Sequence, residues 1–267
     1  MATGVLVLGI NKATRLLTYI VGTSKTYTAT IRLGQSTITD DAEGDVIASA
    51  SASAVGDEAI RAGVAALTGL IQQVPSSVSA IKVNGERAYA RVRSGEEVKL
   101  AARPVTIHRF EVHGIRREPG TDVVDLDVTV ECSSGTYVRA LARDLGDALG
   151  VGGHLTALRR THVGPYSLEQ ARTLEQLAEE LKVLEMSQAA RALMPNRQLT
   201  PEETTEISFG RRIAAGAPAG SPLAATAEHP AAAFAPDGTL VALLADSGSF
   251  AKPVLVFAPG NATGQEA

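Results

Sequence analysis

The segment "VDLDVTVEC", residues 124–132, alternates strictly between apolar and polar side chains. Successive side chains of a β-strand point to opposite faces of the sheet, so this period of two predicts a strand over 122–132 with one buried face. Cys132 falls on the apolar side. It is the only cysteine and the sequence pairs no base with it, so we predict a small buried residue rather than a nucleophile.

The following residues, "SSGTYVRALARDLGDALG", predict a turn and then an amphipathic helix. Residues 133–135 suit the turn, Thr136 is the predicted N-cap, and Gly150 ends the helix. Arg139 then lies in the first helical turn, where the helix dipole disfavours a cation by about 0.3–1 kcal/mol. Its position indicates either an anionic partner or a solvent-facing arginine. The helix would bury an apolar stripe made of Val138, Leu141, Leu145 and Leu149.

The rest of the chain predicts further strands and helices. The apolar run "VLVLGI", Val5–Ile10, is predicted to be a strand buried on both faces. A turn at Asn84–Gly85 is predicted to precede a short helix. The other predicted elements are strands at Lys25–Gly34 and Val105–Ile115, helices at Asn11–Val21 and Asp57–Leu70, and a polar turn at Asp40–Gly44.

The composition changes after Pro195, where Ala, Gly and Pro become frequent and two strands are predicted, at Thr239–Ala245 and Pro253–Phe257. We therefore predict one domain over 1–194, a second over 195–258, and a disordered tail over 259–267.

Charge is distributed unevenly along a chain whose formal net charge is −4. Residues 82–117 hold nine bases against four acids, whereas residues 34–60 hold six acids and no base. The basic stretch is either a nucleic-acid face or a solvated face balanced by acids elsewhere in the fold.

Several classes of function find no signal in the sequence. The five histidines lack the spacing of zinc ligands, and "VGGHL" lacks the Lys-Ser/Thr of a phosphate-binding loop. A membrane span of roughly 18 apolar residues and an export signal are also missing. The sequence therefore predicts a soluble protein of the cytoplasm.

Four motifs occur in the order "KTYTATIRLGQSTITDDAEGDV", "QQVPSSVSAIKVNGERAYARVRSGEEV", "RPVTIHRFEV" and "CSSGTYVRALARDLGDALGVGGHLTALRR". Together they resemble the bacterial tRNA pseudouridine(55) synthases of the TruB type, over residues 2–193. The resemblance implies an α+β fold, with a mixed, mainly antiparallel sheet flanked by helices. The part after Pro195 resembles the small PUA-type RNA-binding β-domain that ends many members of this family.

The resemblance also implies a reaction. The enzyme flips one uridine of the tRNA T loop out of its stack, breaks the N1–C1′ bond, rotates the uracil and rejoins it through C5. The implied partner is tRNA, bound through its T arm and loop by a monomer. The family uses neither a cofactor nor a metal.

The family's nucleophile is the aspartate of the motif "GTLDPxATG", and this sequence begins "MATG". Aligned residue by residue, Met1 occupies the variable position, so the aspartate would lie two residues before it. We therefore expect an internal methionine at position 1 and a catalytic segment upstream of it, without which the chain is inactive. The alternative is a catalytically inactive protein that binds or folds tRNA.

Residue by residue, the resemblance assigns five side chains to the site. Tyr27 would stack on the target base and act in the C5 proton step, and Arg139 would pair with the nucleophilic aspartate, which this sequence lacks. Asp41 would lie near the flipped nucleotide, while Tyr137 and Leu158 would line the uracil pocket. A strand tyrosine, a turn-capping aspartate and core residues are the alternatives. The predicted phosphate contacts are Arg15, Lys82, Arg87 and Arg91.

Overall fold

A computed structural model describes residues 2–76, 82–83, 86–87, 100–216 and 224–257, with the main chain alone for 82–83 and 86–87. The chain folds into two compact units. The first contains Met1–Leu6 and Gly22–Glu169, and the second contains Val7–Val21 and Gln170–Ala267. No helix within the described ranges is long and apolar enough to cross a membrane.

The helices are short, and most strands belong to one of two larger sheets. The strands are β1 (Ala2–Gly4), β2 (Lys25–Leu33), β3 (Gln35–Thr37), β4 (Val46–Ser49), β5 (Gly69–Gln73), β6 (Lys82–Val83), β7 (Glu86–Arg87), β8 (Arg103–Arg117), β9 (Val124–Cys132), β10 (Gly153–Val163), β11 (Tyr166–Ser167), β12 (Asn196–Gln198), β13 (Ile213–Ala214), β14 (Ala231–Phe234), β15 (Leu240–Ser247) and β16 (Phe250–Val256). A 3-10 helix, Asn11–Leu16, continues as α1 (Leu17–Val21), and the other helices are α2 (Asp57–Ala66), α3 (Val138–Ala148), α4 (Leu174–Glu179), α5 (Met186–Leu193) and α6 (Pro201–Ser208).

The first unit is built on a mixed sheet with the strand order β1-β10-β2-β9-β8-β5, to which β11 adds beside β10. Every pair is antiparallel except β1 with β10. The α+β class and the mainly antiparallel sheet predicted from the sequence are confirmed. The strands predicted at Lys25–Gly34, Val105–Ile115 and 122–132 correspond to β2, β8 and β9.

Helices α2 and α3 contribute to the apolar core that covers one face of this sheet. Along β9 the burial alternates at every residue, as predicted. The alternate residues meet Ile60 of α2 and Leu141 and Leu145 of α3, all fully buried. Cys132 is part of this core, and burial raises the pKa of its thiol to about 11. The prediction that Cys132 is a small buried residue is confirmed.

The prediction of a buried strand at Val5–Ile10 is wrong. The ladder to β10 ends at Gly4, with one further bond from the Val5 N–H to the Arg160 carbonyl at 2.8 Å. Beyond Val5 the chain leaves the sheet and passes from the first unit to the second. Leu6 and Leu8 are consequently more than 70% exposed, at 71% and 74%.

Two helix boundaries also differ from the sequence prediction. Helix α2 ends at Ala66 rather than Leu70, because Gly69 adopts a positive φ of 95° and starts β5. Helix α3 has Tyr137 at its N-cap rather than Thr136, whose hydroxyl donates instead to the Ser133 carbonyl. Gly150 ends α3 with a φ of 74°, as predicted.

The second unit contains a five-stranded sheet with the order β12-β14-β15-β16-β13. The strands predicted at Thr239–Ala245 and Pro253–Phe257 correspond to β15 and β16. Apolar clusters cover both faces of this sheet. One cluster includes Ile207 of α6, and the other includes Leu16 of the 3-10 helix and Ala190 of α5.

Residues 170–194 group with the second unit, because Met186, Ala190 and Met194 pack against its sheet. The domain predicted over 1–194 from the sequence includes these residues. A functional boundary near Pro195 stays a prediction, and the tail over 259–267 lies outside the described residues.

Gly146 of α3 offers a test of this packing. A Cβ atom at this position would lie 2.1 Å from the Gly152 carbonyl carbon and 2.2 Å from the Gly153 nitrogen. Alanine in a helix interior is ordinarily favoured over glycine by about 1 kcal/mol, yet we expect G146A to lower the free energy of unfolding by about 1–3 kcal/mol through overpacking. Denaturant titration measures the change. G22A is the control, because a Cβ at Gly22 meets no atom within 4 Å, and equal stability of G146A and the unmodified chain would contradict the packing described here.

Candidate active site

Arg139 and Asp41 form an ion pair at the N-terminal end of α3. The Nη1 atom of Arg139 donates to Asp41 Oδ2 at 2.8 Å and to the Thr39 carbonyl at 3.1 Å. Of the two alternatives for an arginine in the first turn of this helix, the structure therefore shows the anionic partner. The resemblance had implied that Arg139 lacks its carboxylate partner in this chain, and Asp41 supplies one.

Asp41 is buried in a polar turn that follows β3. Its side chain is only 7% exposed, and its Oδ1 atom accepts hydrogen bonds from the Thr39 hydroxyl at 2.6 Å and the Glu43 N–H at 3.1 Å. Burial acts to raise the pKa of Asp41, but these two bonds and the bond from Arg139 outweigh it and hold the pKa below its ordinary value. Asp41 is therefore an ionised, fully hydrogen-bonded carboxylate at neutral pH.

Gln73, at the end of β5, holds the first turn of α3 in place. Its Oε1 atom accepts from the Tyr137 N–H at 2.9 Å, and its Nε2 atom donates to the Tyr137 carbonyl at 3.1 Å. A buried glutamine, 1% exposed, thus satisfies main-chain groups at the helix start. Gln73 is not among the site residues predicted from the sequence, because the helix predicted over Asp57–Leu70 overlaps the start of β5. The only signal in the sequence is the polar pair Gln72–Gln73 directly after an apolar run.

Tyr27 and Leu158 lie on the helix-covered face of the sheet, packed against its core. Tyr27 pairs in register with Val130 on β9 and Arg160 on β10. Burial raises the pKa of Tyr27, an effect to which Cys132 adds and which a hydrogen bond with Arg160 partly offsets. Leu158 sits opposite Ala29, two residues along β2 from Tyr27. Their roles on a target base stay predictions.

The predicted phosphate contacts are distributed over both units. Arg15 lies in the second unit, where it donates to the Val256 carbonyl at 3.2 Å and stacks over the Phe257 ring. The main chain pairs Lys82 with Arg87 in the β6–β7 ladder of the first unit. Arg91 and the short helix predicted around it lie outside the described residues. Their contact with phosphates stays a prediction.

Three arginines of β8, within the basic stretch, are paired with acids. Arg109 lies 3.2 Å from Glu111, Arg117 lies 2.7 Å from Asp57, and Arg116 pairs with Asp127. For these three arginines, the pairing agrees with the alternative of a solvated face balanced by acids. The nucleic-acid face over residues 82–117 stays a prediction.

Within the ranges that the structure describes, no three His, Cys, Asp or Glu side chains lie together as a metal site would require. His154, the buried histidine, bonds through Nδ1 to the Gln35 carbonyl at 3.0 Å. The chemistry available at the site is that of carboxylate, guanidinium and phenol groups.

Three family models match the chain in succession. The N-terminal domain of TruB family pseudouridylate synthases matches residues 1–138. The C-terminal domain of tRNA pseudouridylate synthase B matches residues 139–204, and the C-terminal model of tRNA pseudouridine synthase II matches residues 194–258.

Individual relatives give the same result. The tRNA pseudouridine synthase B of Arthrobacter sp. (strain FB24) is 83% identical over 261 residues, which cover 98% of this chain and 85% of the relative. The corresponding protein of Nocardia farcinica (strain IFM 10152) is 57% identical over 97% of this chain and 81% of its own length. A chain in a solved Cbf5–Nop10–Gar1 complex matches with a TM-score of 0.64 and 22% identity, over 97% of this chain and 72% of that one, which supports the fold alone.

The ion pair between Asp41 and Arg139 predicts a particular pH dependence of stability. Folding lowers the pKa of Asp41, so its stabilising contribution is present above about pH 4, the ordinary aspartate pKa, and is lost as the pH falls through the folded pKa. We expect D41N to lower the free energy of unfolding more at about pH 7 than at about pH 3.5. Denaturant titrations at the two pH values measure this difference.

The neighbouring Asp40 is the control, because burial raises its pKa despite the partial compensation by Arg143. A raised pKa gives stability that is present below about pH 4 and declines as the pH rises through the folded pKa. D40N should therefore lower the free energy of unfolding less at about pH 7 than at about pH 3.5. The same pH trend in both variants would contradict this description of the turn.

Proposed function

The chain belongs to the TruB family of pseudouridylate synthases, a family of isomerases, and on this premise we propose that it converts a uridine of tRNA to pseudouridine. The observation that carries the proposal is the 83% identity, over nearly the whole chain, to a protein named tRNA pseudouridine synthase B. The buried Asp41–Arg139 pair beside the first turn of α3 supports it, because both residues fall on positions where the family's motifs place site residues.

The proposed substrate is the T arm of tRNA, with the uridine at position 55 of its loop as the target. That base leaves its stack, and Tyr27 stacks on it while Leu158 and Tyr137 line the pocket that receives it. The N1–C1′ bond breaks, the uracil turns, and a C5–C1′ bond forms as the C5 proton is removed and N1 gains a proton. The reaction is an isomerisation, so it needs no co-reactant.

A nucleophilic carboxylate in the sequence "GTLDP", preceding Ala2, would complete the site. The "ATG" of the family motif corresponds to β1, whose first residue lies opposite Leu158 in the ladder with β10. Gly4 suits the end of this motif, because its φ is 99° and a Cβ there would lie 2.1 Å from the Arg160 carbonyl oxygen. A segment joined to Ala2 would therefore start beside a residue proposed to line the pocket.

The proposal also covers the second unit, the cellular location and the oligomeric state of the enzyme. We propose that residues 195–258 act as a PUA-type RNA-binding domain. On its β13–β16 edge, Arg212 stacks over the partly exposed Phe250 ring at 4.1 Å, and arginine–aromatic pairs of this kind suit RNA. The enzyme would work in the cytoplasm as a monomer, without a metal or cofactor.

The first test compares two forms of the protein on unmodified tRNA. One is the chain as given, and the other carries "GTLDP" upstream of Met1 together with the native sequence that precedes it. We expect pseudouridine at position 55 from the extended form alone, measured by tritium release from [5-³H]uridine-labelled tRNA. An extended form with asparagine for the motif's aspartate is the matched control and should be inactive.

The other outcomes distinguish the alternatives. Activity of the chain as given would assign the chemistry to another carboxylate, with Asp41 the first to be examined. Tight binding of the T arm without isomerisation by either form would favour a tRNA-binding or tRNA-folding protein. Neither binding nor isomerisation of tRNA would contradict the proposed function.

Tyr27 provides a second prediction, which concerns the C5 proton. Y27F keeps the ring that would stack on the base and removes the hydroxyl, so we expect the kcat of the extended form to fall by about 10²–10⁴-fold with little change in tRNA binding. Y166F is the control, because Tyr166 is a buried tyrosine of the first unit on β11, a strand that holds none of the proposed pocket residues. Equal loss of activity in both variants would point to a structural effect.

A further inference from the structure

A second arginine of α3, Arg143, lies one helical turn after Arg139. Residues four apart share a helix face, so both guanidinium groups point to the same neighbouring turn. Arg139 bonds to Asp41, and Arg143 Nη1 donates to Asp40 Oδ2 at 3.2 Å. Two consecutive aspartates of one turn are thus paired with two arginines at successive turns of one helix.

Arg143 connects three parts of the first unit. Besides Asp40 at the turn, its Nη2 atom donates to the Val74 carbonyl directly after β5 at 2.7 Å. Its Nε and Nη2 atoms donate to Asp144 Oδ1, on the same helix, at 2.9 and 2.7 Å. The side chains of Arg143 and Asp40 are 24% and 13% exposed, so water screens this pair only partly.

The backbone conformation of Asp40 sets the direction of the Asp41 side chain. Its φ of 59° lies in the left-handed region, which aspartate and asparagine tolerate better than most residues. Its carbonyl accepts from the Leu155 N–H at 3.1 Å, which ties the turn to β10. The peptide that follows Asp40 carries Asp41, so a shift of Asp40 moves the carboxylate that meets Arg139.

The charges in this cluster indicate what the loss of an arginine would leave behind. Three carboxylates, those of Asp40, Asp41 and Asp144, lie close to two guanidinium groups. Without Arg143, the largely buried Asp40 carboxylate would lose this ion pair while it lies next to Asp41 in the chain. Like charges at short range repel, and the turn would be displaced from α3.

We propose that Asp40 and Arg143 are positioning residues, whose ion pair holds the turn against α3 so that Asp41 stays bonded to Arg139. In this role neither residue needs to contact the reacting atoms. The proposal rests on the proposed function only where it concerns catalysis, since the contact between turn and helix exists independently of the reaction.

The kinetic test uses D40N, R143Q and the double variant in the extended, active form. Asparagine tolerates a positive φ as well as aspartate does, so D40N changes the charge and leaves the backbone preference intact. We expect each single variant to lower kcat about 10-fold or more, with KM for tRNA changed by less than about 2-fold, because misplacement affects the transition state more than binding. The double variant should be no worse than R143Q, because it removes both charges of the pair.

D125N is the matched control. It breaks the two-bond pair between Asp125 of β9 and Arg32 of β2, whose side chains are 20% and 35% exposed. We expect D125N to lower the melting temperature while kcat changes by less than about 2-fold. If R143Q and D40N also lower the melting temperature and leave kcat unchanged, the pair serves stability alone and the proposal is wrong.

A second measurement does not depend on catalytic activity. The Leu155 amide bonds to the Asp40 carbonyl, so its hydrogen exchange in the chain as given reports on the turn. We expect exchange at Leu155 to be about 10-fold faster in D40N and R143Q, and unchanged in D125N. Unchanged exchange in both variants would overturn the proposal. If no form isomerises tRNA, the proposed function fails, and the exchange rates still decide whether this pair positions the turn.

Discussion

The ion pair between Asp41 and Arg139 is the interaction around which the first unit is organised. A carboxylate buried to this extent costs several kcal/mol unless it is paired and its remaining lone pairs are satisfied. The structure meets that requirement with groups from two places, namely the turn itself and the first turn of α3. Gln73 fixes the helix start, and Ser76, fully buried, donates to the Thr39 carbonyl at 3.3 Å. The site and the packing around it therefore depend on the same few polar contacts.

Much of the fold could be predicted from local patterns. The period of two in β9 and the apolar stripe of α3 follow directly from which side chains must face the core. Local patterns predict the wrong secondary structure where contacts with distant parts of the chain determine it. Residues 5–10 are as apolar as a buried strand, yet they connect two units and lack a ladder partner among the described strands. The apolar spacing of α2 runs on into Leu70, and only the positive φ of Gly69 separates the helix from β5.

Residues of the candidate site could be predicted from the sequence, but the contacts between them could not. An arginine in the first turn of a helix indicates an anion, but the sequence does not say which one, because Asp41 lies 98 residues away. The resemblance to a known family named both residues, and the structure showed that they touch. Gln73 and Arg143 have no such signal, since polar residues of their kind are ordinarily exposed. Their roles come from burial and from bonds between segments that are distant in the sequence.

The order of the two units along the chain has a consequence for synthesis on the ribosome. Residues 7–21 are synthesised early, but they belong to the second unit, most of which is synthesised last. Lys12, for example, donates to the Phe257 carbonyl, 245 positions later. Leu16, only 2% exposed, packs in the cluster that contains Phe234. The first unit can form while the chain is still growing, whereas the second must keep its opening segment unpaired until β16 has left the ribosome. A fragment that starts at residue 170 would leave this apolar cluster open to water, so residues 170–267 are not a module that can be separated at one cut.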